Sequence, residues 1–183
     1  MRNKQRTYDR FVNTTSEWLK ALEGYDAEHL KHKPAPDQWS LAELYDHLMR
    51  VANTYQIPHF LNCANNGTKR LSGKNYKGMV IFDVDYLPGK KMRMENFPPD
   101  IVRDFTPVVK EKNILLKEFE GFIRMVQNDL QTKLMNADTN LKEYHPLFGW
   151  INAVEWFSLI EIHIRHHLPQ RTRLEQAKAT QTA

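Results

Sequence analysis

Apolar residues recur along this chain in steps of three and four, and the period is lost only in one long middle stretch. Over residues 8–22, Tyr8, Phe11, Val12, Trp18, Leu19 and Leu22 share one side of a helix that Gly24 brings to an end. Pro34 and Pro36 make the next segment, as far as Trp39, a surface connection. A second helix opens at Ser40 and Glu43, whose spacing is that of a capping box, with Trp39 and Leu44 placed as its hydrophobic staple. Its apolar line runs Leu44, Leu48, Val51, Tyr55 and encloses His47, while Pro58 predicts a kink or an end.

Over residues 65–106 turn signals replace the helical period, at Asn66 and Gly67 and again at Ser72 and Gly73. Residues 79–82 with Val84 suggest a short extended piece. A structureless run of this length is unusual in a compact domain, so the stretch is either a functional cover or a region of small strands and helical turns. Thr106 followed by Pro107 then reads as the cap and first position of a third helix, whose buried stripe is Leu115, Phe119, Phe122, Val126 and Leu130 and which ends near Asn136. A polar connection leads to Asn152 and Glu155, a second capping box with Ile151 and Trp156 as its staple. The fourth helix follows, with Pro169 predicting a kink or early end and the tail from Ala177 predicted to fray. The expectation is an all-α four-helix bundle, one domain over residues 1–183, with a long insertion between helices two and three.

On helix four, Ala153, Trp156, Ile160, His163, His167, Gln170 and Leu174 fall on one line. Its upper part is apolar and its continuation is imidazole, imidazole, carboxamide. Residues at i and i+4 are about 5–6 Å apart at Cβ, close enough for His163 and His167 to share one metal ion. His47, on the core face of helix two, would make a third nitrogen ligand and leave a position open, as catalytic sites of the zinc type do. The competing reading makes His47 a satisfied core histidine and the C-terminal cluster a solvated patch. Spacing alone leaves both open. His166, at i+3 from His163, falls to the side of the stripe and reads as a flanking proton carrier or an exposed residue.

The totals exclude several classes. A formal charge of +4 from 26 basic and 22 acidic side chains, without a dense basic block, gives nucleic-acid binding little support. One cysteine, Cys63, rules out an intrachain disulfide framework and fits a reducing, cytoplasmic setting. No run approaches the ~18 apolar residues of a membrane span, and the polar N-terminus shows no signal peptide.

Trp39 and Ser40 followed by His47, then Phe148 and Gly149, Glu155 and Trp156, and finally His163, His166, His167 and Gln170, resemble the DinB-like family in order and spacing. The resemblance spans nearly the whole chain. It implies a four-helix bundle of up-down-down-up topology, usually dimeric, that binds one divalent ion, most often zinc or nickel, through three histidines. His47, His163 and His167 match those ligand positions. Pro169 stands where the family commonly has Arg or Gly.

Remaining residues divide between roles. Gln170 orients a ligand or is a helix-end polar residue. Glu43 and Glu155 are explained by capping. Asp46 and Glu161 lie off the ligand line and read as solvated, Cys63 as a buried inert thiol, and Trp150, Trp156 and Phe157 as core or dimer contacts. Lys90, Lys91 and Arg93 read as a solvated loop. Characterised relatives include thiol-S-transferases and a thiol-dependent isomerase, so the resemblance implies a metal-dependent enzyme that activates a low-molecular-weight thiol or water. No carboxylate stands out as a base, and no catalytic residue is assigned. The alternative is a non-catalytic, stress-associated or metal-binding dimeric bundle.

Overall fold

The computed structural model describes residues 2–87 and 99–179. Four helical rods carry the core. The first is α1 (Lys4–Gly24), capped by Asn3, whose side chain accepts from the Arg6 amide. A short helix α2 (Ala27–Lys31) follows it within the connection. The second rod is α3 (Leu41–Val51), which continues through a π-helical turn (Ala52–Gln56) into α4 (Ile57–Asn66). Pro58 therefore neither ends nor interrupts this rod. The chain widens by one residue just before it, and the Ile57 amide reaches back to the Ala52 carbonyl. The third rod, α7 (Lys112–Met125), passes through a similar turn (Val126–Leu130) into α8 (Gln131–Asn136). The fourth is α9 (Ala153–His166), followed after His167 by α10 (Leu168–Ala179). The break that Pro169 predicts is present. The helix ends at His166 and restarts two residues later.

Side-chain contacts fix the direction of each rod. Phe11 meets Phe157 with ring centres 5.8 Å apart, and Thr14 reaches Glu161 at 3.3 Å, so α1 and α9 run the same way. The α3–α4 rod runs against α9, because the Gln56 carboxamide donates to the Leu159 carbonyl (3.2 Å) while Phe60 meets Phe157 (5.5 Å). The α7–α8 rod runs against α1, since Lys112 donates to the Tyr25 carbonyl (2.6 Å) at one end and Lys4 to the Met135 carbonyl (2.9 Å) at the other. The order is up-down-down-up, as the resemblance implies. Both capping boxes form: the Ser40 hydroxyl accepts from the Glu43 amide, and Glu43 accepts from the Ser40 amide at 2.8 Å. Asn152 and Glu155 repeat the arrangement.

The insertion is not structureless. It holds β1 (Thr68–Lys69), α5 (Tyr76–Phe82) and α6 (Pro99–Phe105). Residues 79–82, expected to be extended, are helical instead, because Asn75 caps them by accepting from the Gly78 amide at 3.0 Å and Ile81 and Phe82 turn into the core. Thr106 does not start the third rod either. Its hydroxyl donates to the Val102 carbonyl at the end of α6, and α7 starts after Glu111. Lys90, Lys91 and Arg93 lie outside the described residues, as do residues 180–183 of the tail; the tail from Ala177 to Ala179 belongs to α10. Asp85, with its backbone at φ 60°, joins the insertion to two rods by accepting from Arg2 (2.9 Å) and Arg165 (3.1 Å), with Arg10 at 2.6 Å.

A hairpin precedes α9 where the sequence shows only a polar connection. Strands β2 (Leu141–His145) and β3 (Gly149–Asn152) pair antiparallel, with His145 opposite Gly149, and β1 adds to the free side of β2. Gly149 lies at φ 79°, and a Cβ there would stand 2.9 Å from the Asn75 amide nitrogen. Gly149→Ala should therefore lower stability by about 1–2 kcal/mol from the left-handed backbone alone, and more from the clash. Urea titration would show it, and an unchanged midpoint would contradict this account. Ser40→Ala should cost about 1 kcal/mol through loss of the α3 cap, read in the same titration.

Candidate metal centre

Because α3 and α9 run antiparallel, the core face of one and the histidine line of the other meet. His47, His163 and His167 each present a ring nitrogen, and these nitrogens all lie within 4.8 Å of one another. Ring centres are 5.1 Å apart for His47 with either partner and 4.7 Å for His163 with His167. His47 is buried; His163 and His167 are partly exposed. Among the described residues this is the one group of three or more ligand-type side chains so placed.

Neighbours decide which nitrogens are available. The His47 Nδ1 lies 2.9 Å from the Phe105 carbonyl, which only accepts, so Nδ1 carries the proton and Nε2 the lone pair. The His167 Nδ1 is likewise 3.0 Å from the Gln170 amide oxygen, and its Nε2 faces the His163 Nε2 at 3.1 Å. The His163 Nδ1 is buried without a hydrogen-bond partner. Two lone pairs thus converge with at most one proton, the one His163 can place between itself and His167. An acceptor-rich centre of this kind fits a divalent cation with imidazole ligands, and the outer acceptors Phe105 and Gln170 are the kind that hold such ligands in one tautomer.

Protonation is disfavoured throughout. Burial and the neighbouring imidazoles hold His163 well below its usual range, burial followed by His47 pushes His167 down to about 3, and burial lowers His47. Protons therefore compete weakly for the lone pairs near neutral pH.

Other residues resolve plainly. Gln170 orients His167. His166 stands 5.4 Å from the His167 ring and outside the triad. Glu43 and Glu155 cap helices and also bind Lys33 (2.7 Å) and Lys74. Asp46 and Glu161, expected to be solvated, are buried and engaged instead: Asp46 with Arg50 (2.5 Å), Lys110 (2.7 Å) and the Val108 amide (2.8 Å), Glu161 with Arg165 (2.8 Å). A carboxylate can be hidden in this way only with such compensation. Trp150 lies in the hairpin under Arg70 (4.1 Å), away from the triad, and Phe157 is core. Cys63 is fully buried, its thiol donating toward the Leu141 and Ile151 carbonyls, and burial pushes it up to about 12.

Trp39 packs its ring against His47, with centres 4.7 Å apart. A second imidazole group went unrecognised in the sequence. His59 bonds Glu143 (2.5 Å) and stacks on Trp156 at 4.7 Å. His145, whose Nδ1 accepts from the Leu147 amide, packs against Trp156 and Phe148. The alternation of Glu143 and His145 was the available signal, concealed because no strand was expected there.

A family model described as the DinB superfamily matches residues 10–170. The chain belongs to the DinB superfamily. No functionally curated protein matches the sequence. In this DinB-superfamily chain no helix among the described residues is long and apolar enough to cross a membrane.

The depressed imidazoles set a pH dependence. His167, held near 3 in the fold against about 6.5 unfolded, and His145, held near 4, take up protons more readily when the chain is unfolded. Their contribution to stability is complete above about pH 6.5 and is lost as pH falls toward the folded values. Metal-free protein should accordingly show a urea midpoint that drops between pH 6.5 and 4, and His167→Asn should flatten that slope. Equal slopes would contradict the assignment.

Proposed function

We propose that the chain is a metal-dependent enzyme whose divalent ion is held by His47, His163 and His167 and whose reaction activates a thiol or water. The observation that carries this reading is the convergence of three neutral imidazoles, two of them fixed by outer acceptors with Nε2 turned inward. Bound there, the ion would act as a Lewis acid, lowering the pKa of the group that takes its open position. The chain's own part is to orient the imidazoles through Phe105 and Gln170 and to keep them unprotonated through burial.

Thiol transfer is favoured over hydrolysis. Among the described residues the histidine group contains no carboxylate, and Asp46, Glu43, Glu155 and Glu161 are all committed to caps or ion pairs, so none of these four is free to act as a base for water. A thiol, with a pKa near 8.5, needs far less help to lose its proton. In this reading the ion is zinc or nickel, the co-substrate a low-molecular-weight thiol and the assembly a homodimer, as the family resemblance implies.

Elemental analysis of untagged protein prepared without chelator should give about one divalent ion per chain, lost in His47→Ala, His163→Ala and His167→Ala. Metal indifferent to all three would end the reading. In the cobalt-substituted protein, a low-molecular-weight thiol should shift the visible absorption. A spectrum unmoved by a panel of such thiols, with metal bound, would leave a non-catalytic metal-binding bundle.

A further inference from the structure

The insertion returns to the bundle through residues 105–110, and two consecutive residues of α3 hold it there. His47 donates to the Phe105 carbonyl (2.9 Å). Asp46, one residue earlier, accepts from the Val108 amide at 2.8 Å and binds Lys110 at 2.7 Å. Lys110 also reaches Glu118 on α7 at 2.6 Å, and Arg50 braces Asp46 from the next turn of α3. The Asp46 side chain is 1% exposed, so its charge is compensated wholly within this cluster. The carbonyl that sets the His47 tautomer thus lies outside the four rods, at the end of α6. It belongs to a strap that the neighbouring carboxylate contacts through Val108 and Lys110.

We propose that Asp46 is a positioning residue for the histidine centre: it seats the 105–110 strap so that Phe105 orients His47, and metal binding and strap docking are thereby coupled. The proposal rests on the metal-site reading above. The physical link is the imidazole itself. Binding a cation at one ring nitrogen makes the N–H at the other a stronger donor, so an ion on His47 Nε2 strengthens the bond to Phe105. By reciprocity, a seated strap raises affinity for the ion by the same factor that the ion raises docking of the strap. Through this contact the long insertion acts directly on the ligand set.

The test uses full-length protein with cobalt(II) as probe. Asp46→Asn keeps the side-chain shape but removes the charge that holds Lys110, and Lys110→Met removes the same contact from the partly exposed side. Both should weaken cobalt affinity about tenfold, the lower end of what loss of an outer-shell partner costs. In the unaltered protein, cobalt should slow hydrogen exchange at the amides of residues 105, 106 and 108–110, and this protection should shrink in both variants. A purely structural Asp46 would lower the melting temperature while leaving cobalt affinity and metal-dependent protection unchanged, which would overturn the proposal. Should Asp46→Asn fail to fold, Lys110→Met carries the same comparison. No cobalt binding in the unaltered protein would defeat the metal-site reading as well. Binding that is equal in all three proteins would defeat the coupling alone.

Discussion

Three imidazoles can share one small volume only if they are uncharged. Two imidazolium ions at these separations would repel each other, and each would also lose most of its hydration on burial. The bundle meets that constraint by keeping the three rings neutral and close together. It hides His47, leaves His163 and His167 partly covered, and gives two of the three an outer acceptor that settles which nitrogen keeps its hydrogen. The antiparallel placement of α3 against α9 is what brings the rings together.

That placement extends beyond the triad. Along the same seam Gln56 reaches the Leu159 carbonyl, and Tyr55 and His59 meet Trp156. The widened turn at Ala52–Gln56 advances the helix by one residue, a rotation of about 100° at 3.6 residues per turn, and so sets which faces of α4 confront α9 after Pro58. Proline thus sits within a continuous rod that carries His47 of the triad on one side of the turn and the His59–Glu143 pair on the other.

The helical frame was legible because its signals are local. Ser40 with Glu43 and Asn152 with Glu155 announce helix starts by short-range spacing, and the stripes through Leu44 and Trp156 follow a period that burial enforces. That His47, His163 and His167 come together was legible for the same reason, as periodicity on two helices. What failed depended on long-range partners. Residues 79–82 are helical through a local Asn75 cap together with a core supplied from elsewhere, and Thr106 closes a helix that no pattern revealed. Asp46 and Glu161 look like ordinary surface acids until Lys110 and Thr14 arrive from distant positions, although Arg165, the ion-pair partner of Glu161, is only four residues along α9. The Phe105 carbonyl left no trace in the sequence, since any residue type supplies one.

Cys63 offers a consequence of a different kind. Its thiol is fully enclosed, points at two carbonyls and ionises only near 12. A protein proposed to handle small thiols therefore has no reactive sulfur of its own to enter the exchange. The same seclusion makes the natural chain a clean background for chemical labelling. A cysteine placed on α6 or on the 105–110 strap would be its single reactive handle, and a fluorophore or spin label there would report on that segment without first removing Cys63 from the core.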